Sequence, residues 1–291
     1  MKKKLVYLIT LHFFFSSCQK EEKNQSNNNN PVVNNTTGYV VTPVGMVYKS
    51  IDSGITWNLA GDSFSGTYDG VTIDFINSST GYVVTPVGMV YKTIDFGNTW
   101  NLVGDSFSGT YASVGIDFID SNIGYVVTPV GMVYKTINSG NTWNLVGDSF
   151  NGSYDGVGVD FIDGNIGYVI TPVGMVYKTI DSGNTWNLVG DSFSGSYNGV
   201  DIDFVNSNTG YVVTPVGMVY KTTDSGNTWN LVGDSFSGSY TGVGLDFIDN
   251  NTGYVVTPVG MVYKTIDSGN TWNIVGDSFN GSYNGVGIDF F

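Results

Sequence analysis

Six consecutive copies of a 43-residue unit, four strand signals in each copy, and a chain ending on the strand type missing from its start predict an all-β protein. They specify a six-bladed β-propeller of four-stranded blades, closed by the C-terminal strand completing the first blade. The phrase Gly-Tyr-Val-Val-Thr-Pro-Val-Gly-Met-Val-Tyr-Lys begins at Gly38. It returns at Gly81, Gly124, Gly167, Gly210 and Gly253, with Ile170 replacing one Val. A unit of this size supplies four short strands, and abundant glycine (40 residues) with few charges suits a turn-rich sheet protein.

The fourth copy shows the elements in order. Gly167 to Thr171 is rich in β-branched and aromatic residues and forms a strand. Pro172-Val173-Gly174 is a turn, because proline cannot donate to a ladder and belongs at a strand end. Met175 to Thr179 is the next strand. Asp181-Ser182-Gly183-Asn184 turns again, and Thr185 to Val189 is the third strand. A longer loop runs from Gly190 to Gly199. Val200 to Val205 is the innermost strand, with Ile202 and Phe204 alternating around Asp203. Nothing in the repeats has a helical period.

The ends of the chain complete the count. The first copy enters on the strand that follows an innermost strand, and the chain finishes on the innermost-strand sequence Val286-Gly287-Ile288-Asp289-Phe290. Pairing the two closes the ring and removes free edges.

Residues 1–37 read as an address. Met1-Lys2-Lys3-Lys4 and the apolar run Leu5 to Phe15 form a signal peptide over residues 1–17, too short to span a bilayer. Ser16-Ser17 precede Cys18, the one cysteine, and resemble a lipobox whose thiol is acylated; several acyl chains on one residue would hold the protein stably at a membrane. Gln19-Lys20-Glu21-Glu22-Lys23 resembles the export signal of Bacteroidetes surface lipoproteins. Residues 18–37 form an Asn/Ser-rich tether and residues 38–291 the propeller. The expected location is therefore outside the cytoplasm, lipid-anchored to the outer membrane and exposed at the surface.

Composition removes several function classes. The net charge of −14, with no basic stripe, repels phosphate backbones, so no nucleic-acid partner is expected. The repeats contain no Arg, His, Cys or Glu. Ser–His–Asp and Cys–His catalysis are therefore excluded there, and a zinc site would lack its usual ligands. Paired Asp residues remain available for glycoside chemistry, but they recur by symmetry, whereas an active site is normally asymmetric.

A shorter motif inside the unit, Thr179-Ile180-Asp181-Ser182-Gly183-Asn184-Thr185-Trp186, resembles the Asp box, or bacterial neuraminidase repeat. It recurs with Asp52, Asp95, Asn138, Asp181, Asp224 and Asp267 at the acid position and Trp57, Trp100, Trp143, Trp186, Trp229 and Trp272 at its end. The reading is structural: the carboxylate accepts N–H groups of the turn, glycine supplies the unusual backbone, and Trp covers the outer blade. Asn138 can accept the same bonds. Such boxes occur in sialidases, in sortilin-type propellers and in photosystem II assembly-factor-like propellers; the full repeat is most similar to the last group. That resemblance implies a fold, not photosynthesis. A sialidase would hold its substrate with an arginine cluster and pair a Tyr with a Glu, and this body has neither Arg nor Glu.

Binding is the expected function, with a protein or a glycan as ligand. The alternatives are a passive structural surface protein and, further off, a degenerate sialidase-like glycoside hydrolase. The long loops place Phe64, Phe107, Phe150, Phe193, Phe236 and Phe279 on one end face as candidate ligand contacts. Tyr68, Tyr111, Tyr154, Tyr197, Tyr240 and Tyr283 are expected beside them. The residue after each Tyr changes between copies (Asp69, Ala112, Asp155, Asn198, Thr241, Asn284), which marks an exposed position. No catalytic residue is assigned and no cofactor is expected, with one candidate ion. Asp74, Asp117, Asp160, Asp203, Asp246 and Asp289 recur on the innermost strands, and clustered at the axis they would suit Ca²⁺. The competing reading is that each accepts hydrogen bonds from a neighbouring blade.

Overall fold

The computed structural model describes residues 35–291; the signal peptide and Cys18, with all but the last residues of the tether, lie outside the described residues. The described residues form 24 strands in six antiparallel four-stranded sheets, with no helix. Each sheet is one blade. In the fourth, Gly158–Phe161, Gly167–Ile170, Met175–Thr179 and Asn187–Asp191 lie side by side from axis to rim. The innermost strands of successive blades contact one another around a closed ring.

The first blade is assembled from both ends of the chain. Gly287–Phe290 pairs antiparallel with Gly38–Val41, in register from Gly38 with Phe290 to Val41 with Gly287. Thr37 and Phe291 extend the seam by donating N–H groups to each other's carbonyls at 3.1 and 3.0 Å. The edges of that seam are thereby satisfied, and the ring closes by strand pairing.

The third strand of each blade-forming repeat begins later than the pattern predicts, at Asn187 in place of Thr185. The Asp-box turn holds on longer: the Asp181 carboxylate takes the Thr185 N–H at 2.8 Å and its hydroxyl at 2.6 Å, keeping that residue out of the ladder. The strand then runs on to Asp191 through a bulge, where Val176 pairs with Gly190 and Tyr177 with Leu188. Gly190 has to be glycine. A Cβ there would stand 2.4 Å from the Gly226 carbonyl in the next blade's turn.

Blades adhere through an aromatic joint that repeats six times. The buried Tyr168 ring of the fourth blade stacks on Phe204 of the fifth with centroids 3.7 Å apart. Trp229 of the fifth blade meets the same Phe204 edge-on at 5.9 Å. Across all six joints the Tyr–Phe centroid distances are 3.5–3.7 Å. Opposite Tyr168 in the blade's own ladder, Lys178 holds its ammonium 5.0 Å from the Tyr centroid, in cation–π range. The repeat lysines thus sit on tyrosine rings of the blades, away from the axis.

Candidate functional site

The Asp boxes are local devices. Thr179 Oγ1 donates to Asp181 Oδ1 at 2.9 Å and receives the Gly183 N–H at 3.0 Å. Ser182 and Gly183 take φ of 65° and 85°, and Trp186 Nε1 ties down on the Gly183 carbonyl at 3.0 Å. The Thr185 hydroxyl and N–H hold the Asp181 carboxyl below its usual range. In the third box, Asn138 Oδ1 accepts the Thr142 N–H at 2.9 Å while its amide donates to the Thr142 hydroxyl at 2.9 Å, so the turn closes with the neutral side chain. The Asp and Thr side chains of the box are engaged within its own turn, while Ser182 ties the turn to the neighbouring loop, its hydroxyl and N–H donating to the Gly164 and Asn165 carbonyls.

The long loop after each outer strand folds back over its own blade. In the fourth copy, the Ser192 N–H and Tyr197 N–H donate to the Gly174 and Pro172 carbonyls at 2.7 and 3.0 Å. The loop is thus pinned to the Pro-Val-Gly turn, and its continuation is directed to the axis. This pinning corrects the expected aromatic face. Phe64, Phe107, Phe150, Phe193, Phe236 and Phe279 are buried, 5–7 % exposed, and present no surface. Each wedges between blades: Phe193 meets Tyr197 edge-on at 5.2 Å and Tyr220 of the following blade at 5.9 Å. The loop tyrosines Tyr68, Tyr111, Tyr154, Tyr197, Tyr240 and Tyr283 are half-buried against them. The apolar content of the loop seals inter-blade grooves.

The innermost-strand aspartates are distributed around the ring as inter-blade ties. Asp74 Oδ2 accepts the Phe118 N–H, Asp117 that of Phe161, Asp160 that of Phe204, Asp203 that of Phe247, Asp246 that of Phe290, and Asp289 that of Phe75. The distances are 2.7–3.0 Å. This corrects the candidate Ca²⁺ site. Among the described residues no group of three or more acidic, His or Cys side chains comes together closely enough to hold a metal ion. Each carboxylate is spent on the next blade's backbone, and a charge-assisted bond of this kind contributes about 1.5–3 kcal/mol.

Above that ring the axis opens into a cavity of about 330 Å³. Its mouth is formed by the residues that change from copy to copy: Asp69, Ala112, Asp155, Asn198, Thr241 and Asn284. The rim is cross-linked in places, with the Asn284 amide donating to Asp69 Oδ1 at 3.0 Å and the Thr241 hydroxyl to the Asn284 carbonyl. Valines such as Val157 and Val200 line the wall beneath. Deeper still, around the aspartate ring, the space shrinks to about 80 Å³.

One residue breaks the symmetry of this cavity. The first position of the innermost strand is Gly115, Gly158, Gly244 and Gly287 in four blades and Thr72 in another, but Asp201 in the fifth. Asp201 is half-buried on the channel wall, reached by water along the channel and packed among protein groups elsewhere. Its Oδ2 accepts the Leu245 N–H at 2.9 Å and its Oδ1 the Ile202 N–H at 3.0 Å. Burial pushes its carboxyl up to about 7, the two N–H groups oppose this, and nearby Asp203 adds to the rise. Asp201 was not singled out by sequence pattern; its departure from its five counterparts was the available signal.

A ring of six four-stranded blades, each carrying an Asp box, defines an Asp-box β-propeller. The chain belongs to the family described as photosynthesis system II assembly factor YCF48, whose model matches residues 22–157 and 155–287. Among solved structures it is similar to YCF48 bound to a D1 peptide, with 16% identity, 83% of this chain and 79% of that chain covered, and a TM-score of 0.56. YCF48 from Cyanidioschyzon merolae shares 19% identity over 87% of this chain and 91% of that chain, with a TM-score of 0.54. A GH74 enzyme from Niastella koreensis shares 23%, with 81% of this chain and 43% of that chain covered and a TM-score of 0.55. At these identities the likenesses speak to fold alone. A search of curated proteins found no significant match.

Proposed function

We propose that this protein is a non-catalytic propeller that captures a segment of another protein while held outside the cytoplasm by a lipid on Cys18. Membership of an assembly-factor family carries the reading. It is supported by the solved structure of YCF48 bound to a D1 peptide. The repeats lack Arg, His, Cys and Glu, so a GH74-like or sialidase-like reaction would have to draw its acidic groups from aspartates alone. A glycan ligand loses its main support once the six phenylalanines are buried, because stacking on a sugar needs an exposed ring face.

The capture function is tested by cross-linking the full chain on intact cells and identifying joined proteins. Absence of any joined protein above the level of an unrelated anchored propeller sinks it. The anchor is tested separately: Cys18→Ala is expected to move the protein from the membrane fraction to the soluble fraction, and unchanged partitioning rejects the lipid.

A further inference from the structure

Divergence among the repeats concentrates in two places, with single changes such as Ile55, Phe96 and Asn138 scattered elsewhere. One is the loop after each innermost strand, where Asp120 and Asn206 exchange. Either oxygen accepts the same two N–H groups, Asn122 and Ile123 in one copy and Asn208 and Thr209 in the other, so that change is chemically silent. The other is the axial mouth, where the replacements are chemically unlike: carboxylate, methyl, amide and hydroxyl succeed one another around a single opening. A ring whose copies are near-identical elsewhere thus presents an asymmetric surface at its axis.

We propose that the axial cavity receives a cationic nitrogen from a protein segment, a lysine or arginine side chain or a free amino terminus, with Asp201 on its wall and Asp69 and Asp155 at its rim. This rests on the capture function above and names its site. A volume of about 330 Å³ accommodates one long side chain with its flanking backbone, at the small end of ligand pockets. The valine wall suits an aliphatic stem and the polar rim suits peptide groups. The cavity is lined by three carboxylates and no cationic side chain, since the repeat lysines are held on blade tyrosines. Asp201 itself has no structural necessity, because four blades build the same strand with glycine there. A buried carboxylate without a cation beside it weakens a fold, and such departures from local economy concentrate at sites that bind. An inserted ammonium or guanidinium would keep Asp201 ionised. The other channel aspartates, from Asp74 to Asp289, lie deeper, around its narrow part; Asp201, which accepts the Leu245 and Ile202 N–H groups, is the carboxylate on the wall of the wider cavity.

The test is calorimetric titration of the full chain with short glycine peptides. One carries a central arginine, one a central lysine, one a central citrulline, and one has only a free amino terminus, the others being N-acetylated. A cationic peptide is expected to bind, its citrulline counterpart is not, and the comparison among cationic peptides identifies which nitrogen is accepted. Asp201→Gly, the residue of four sister blades, is expected to weaken binding about tenfold or more. The outer-strand double variant Asp62→Asn/Asp105→Asn, which removes equal or greater charge from the rim of the disc, is expected to change nothing. No binding of any cationic peptide, or equal weakening by the outer-strand variant, overturns the axial site. The titration decides the site and the cross-linking yield decides the capture function, so either can fail alone.

Discussion

Replacing Asp201 with glycine is expected to stabilise the protein above neutral pH and to do so less as the pH falls. Burial raises the folded-state carboxyl to about 7, against roughly 3.9 in an unfolded chain. Between these values the folded protein binds a proton that the unfolded chain has released, so stability falls as pH rises through that window and the full penalty is present above pH 7. The whole interval corresponds to about 4 kcal/mol at 1.36 kcal/mol per unit. Between about pH 5.5 and pH 8.5, some 1.5 units of that interval are crossed, giving about 2 kcal/mol. The lower bound avoids the region near pH 4.1 where the chain carries no net charge. Glycine returns some of the gain through backbone entropy, about 0.5–1 kcal/mol, but that loss does not depend on pH. Urea unfolding of wild type and Asp201→Gly at both pH values isolates the effect as a difference of differences, in which the titration of all other groups cancels. A difference unchanged with pH, or one that grows on acidification, refutes the burial reasoning.

The aromatic joint, the turn glycines and the closing strand make three further predictions. Phe204→Ala removes the stack on Tyr168 and the edge contact with Trp229, and should cost about 3–5 kcal/mol in chemical unfolding; a loss below about 1 kcal/mol would show that the joint is not where the blades adhere. Gly174→Ala puts a Cβ 2.3 Å from the Phe193 carbonyl oxygen at a φ of +89°, so it should cost more than about 2 kcal/mol, whereas Gly164→Ala, in open space, should be near neutral. Deleting residues 287–291 removes the innermost strand of the first blade and the Tyr254–Phe290 stack. The melting temperature should fall by about 10 °C or more, and a melt matching the full-length protein would show that the seam does not hold the ring.

Much of this molecule is legible along the chain because its information is local and repeated. The 43-residue period, the strand alternation and the Pro-Val-Gly and Asp-box turns depend on neighbours a few residues apart, so reading one copy reads all six. The closing strand followed from counting strand types, since an unmatched edge needs a partner. What pattern could not supply was the company each side chain keeps across a blade boundary. Phe193 and Tyr197 are equally aromatic in sequence, yet one is buried and the other half-buried, and the exposed Leu188 and the buried Val176 are equally apolar; burial is decided by how the loop is pinned and where the next blade sits. Asp203 likewise reads either as an axial metal ligand or as a tie to the neighbouring blade until the ring geometry delivers the Phe247 N–H to its carboxylate at 2.7 Å. The cavity belongs wholly to the tertiary level. Its rim comes from six loops 43 residues apart, and only closure of the ring brings Asp69, Asp155 and Asp201 to one opening and withdraws Asp201 from bulk water, which is what raises its carboxyl.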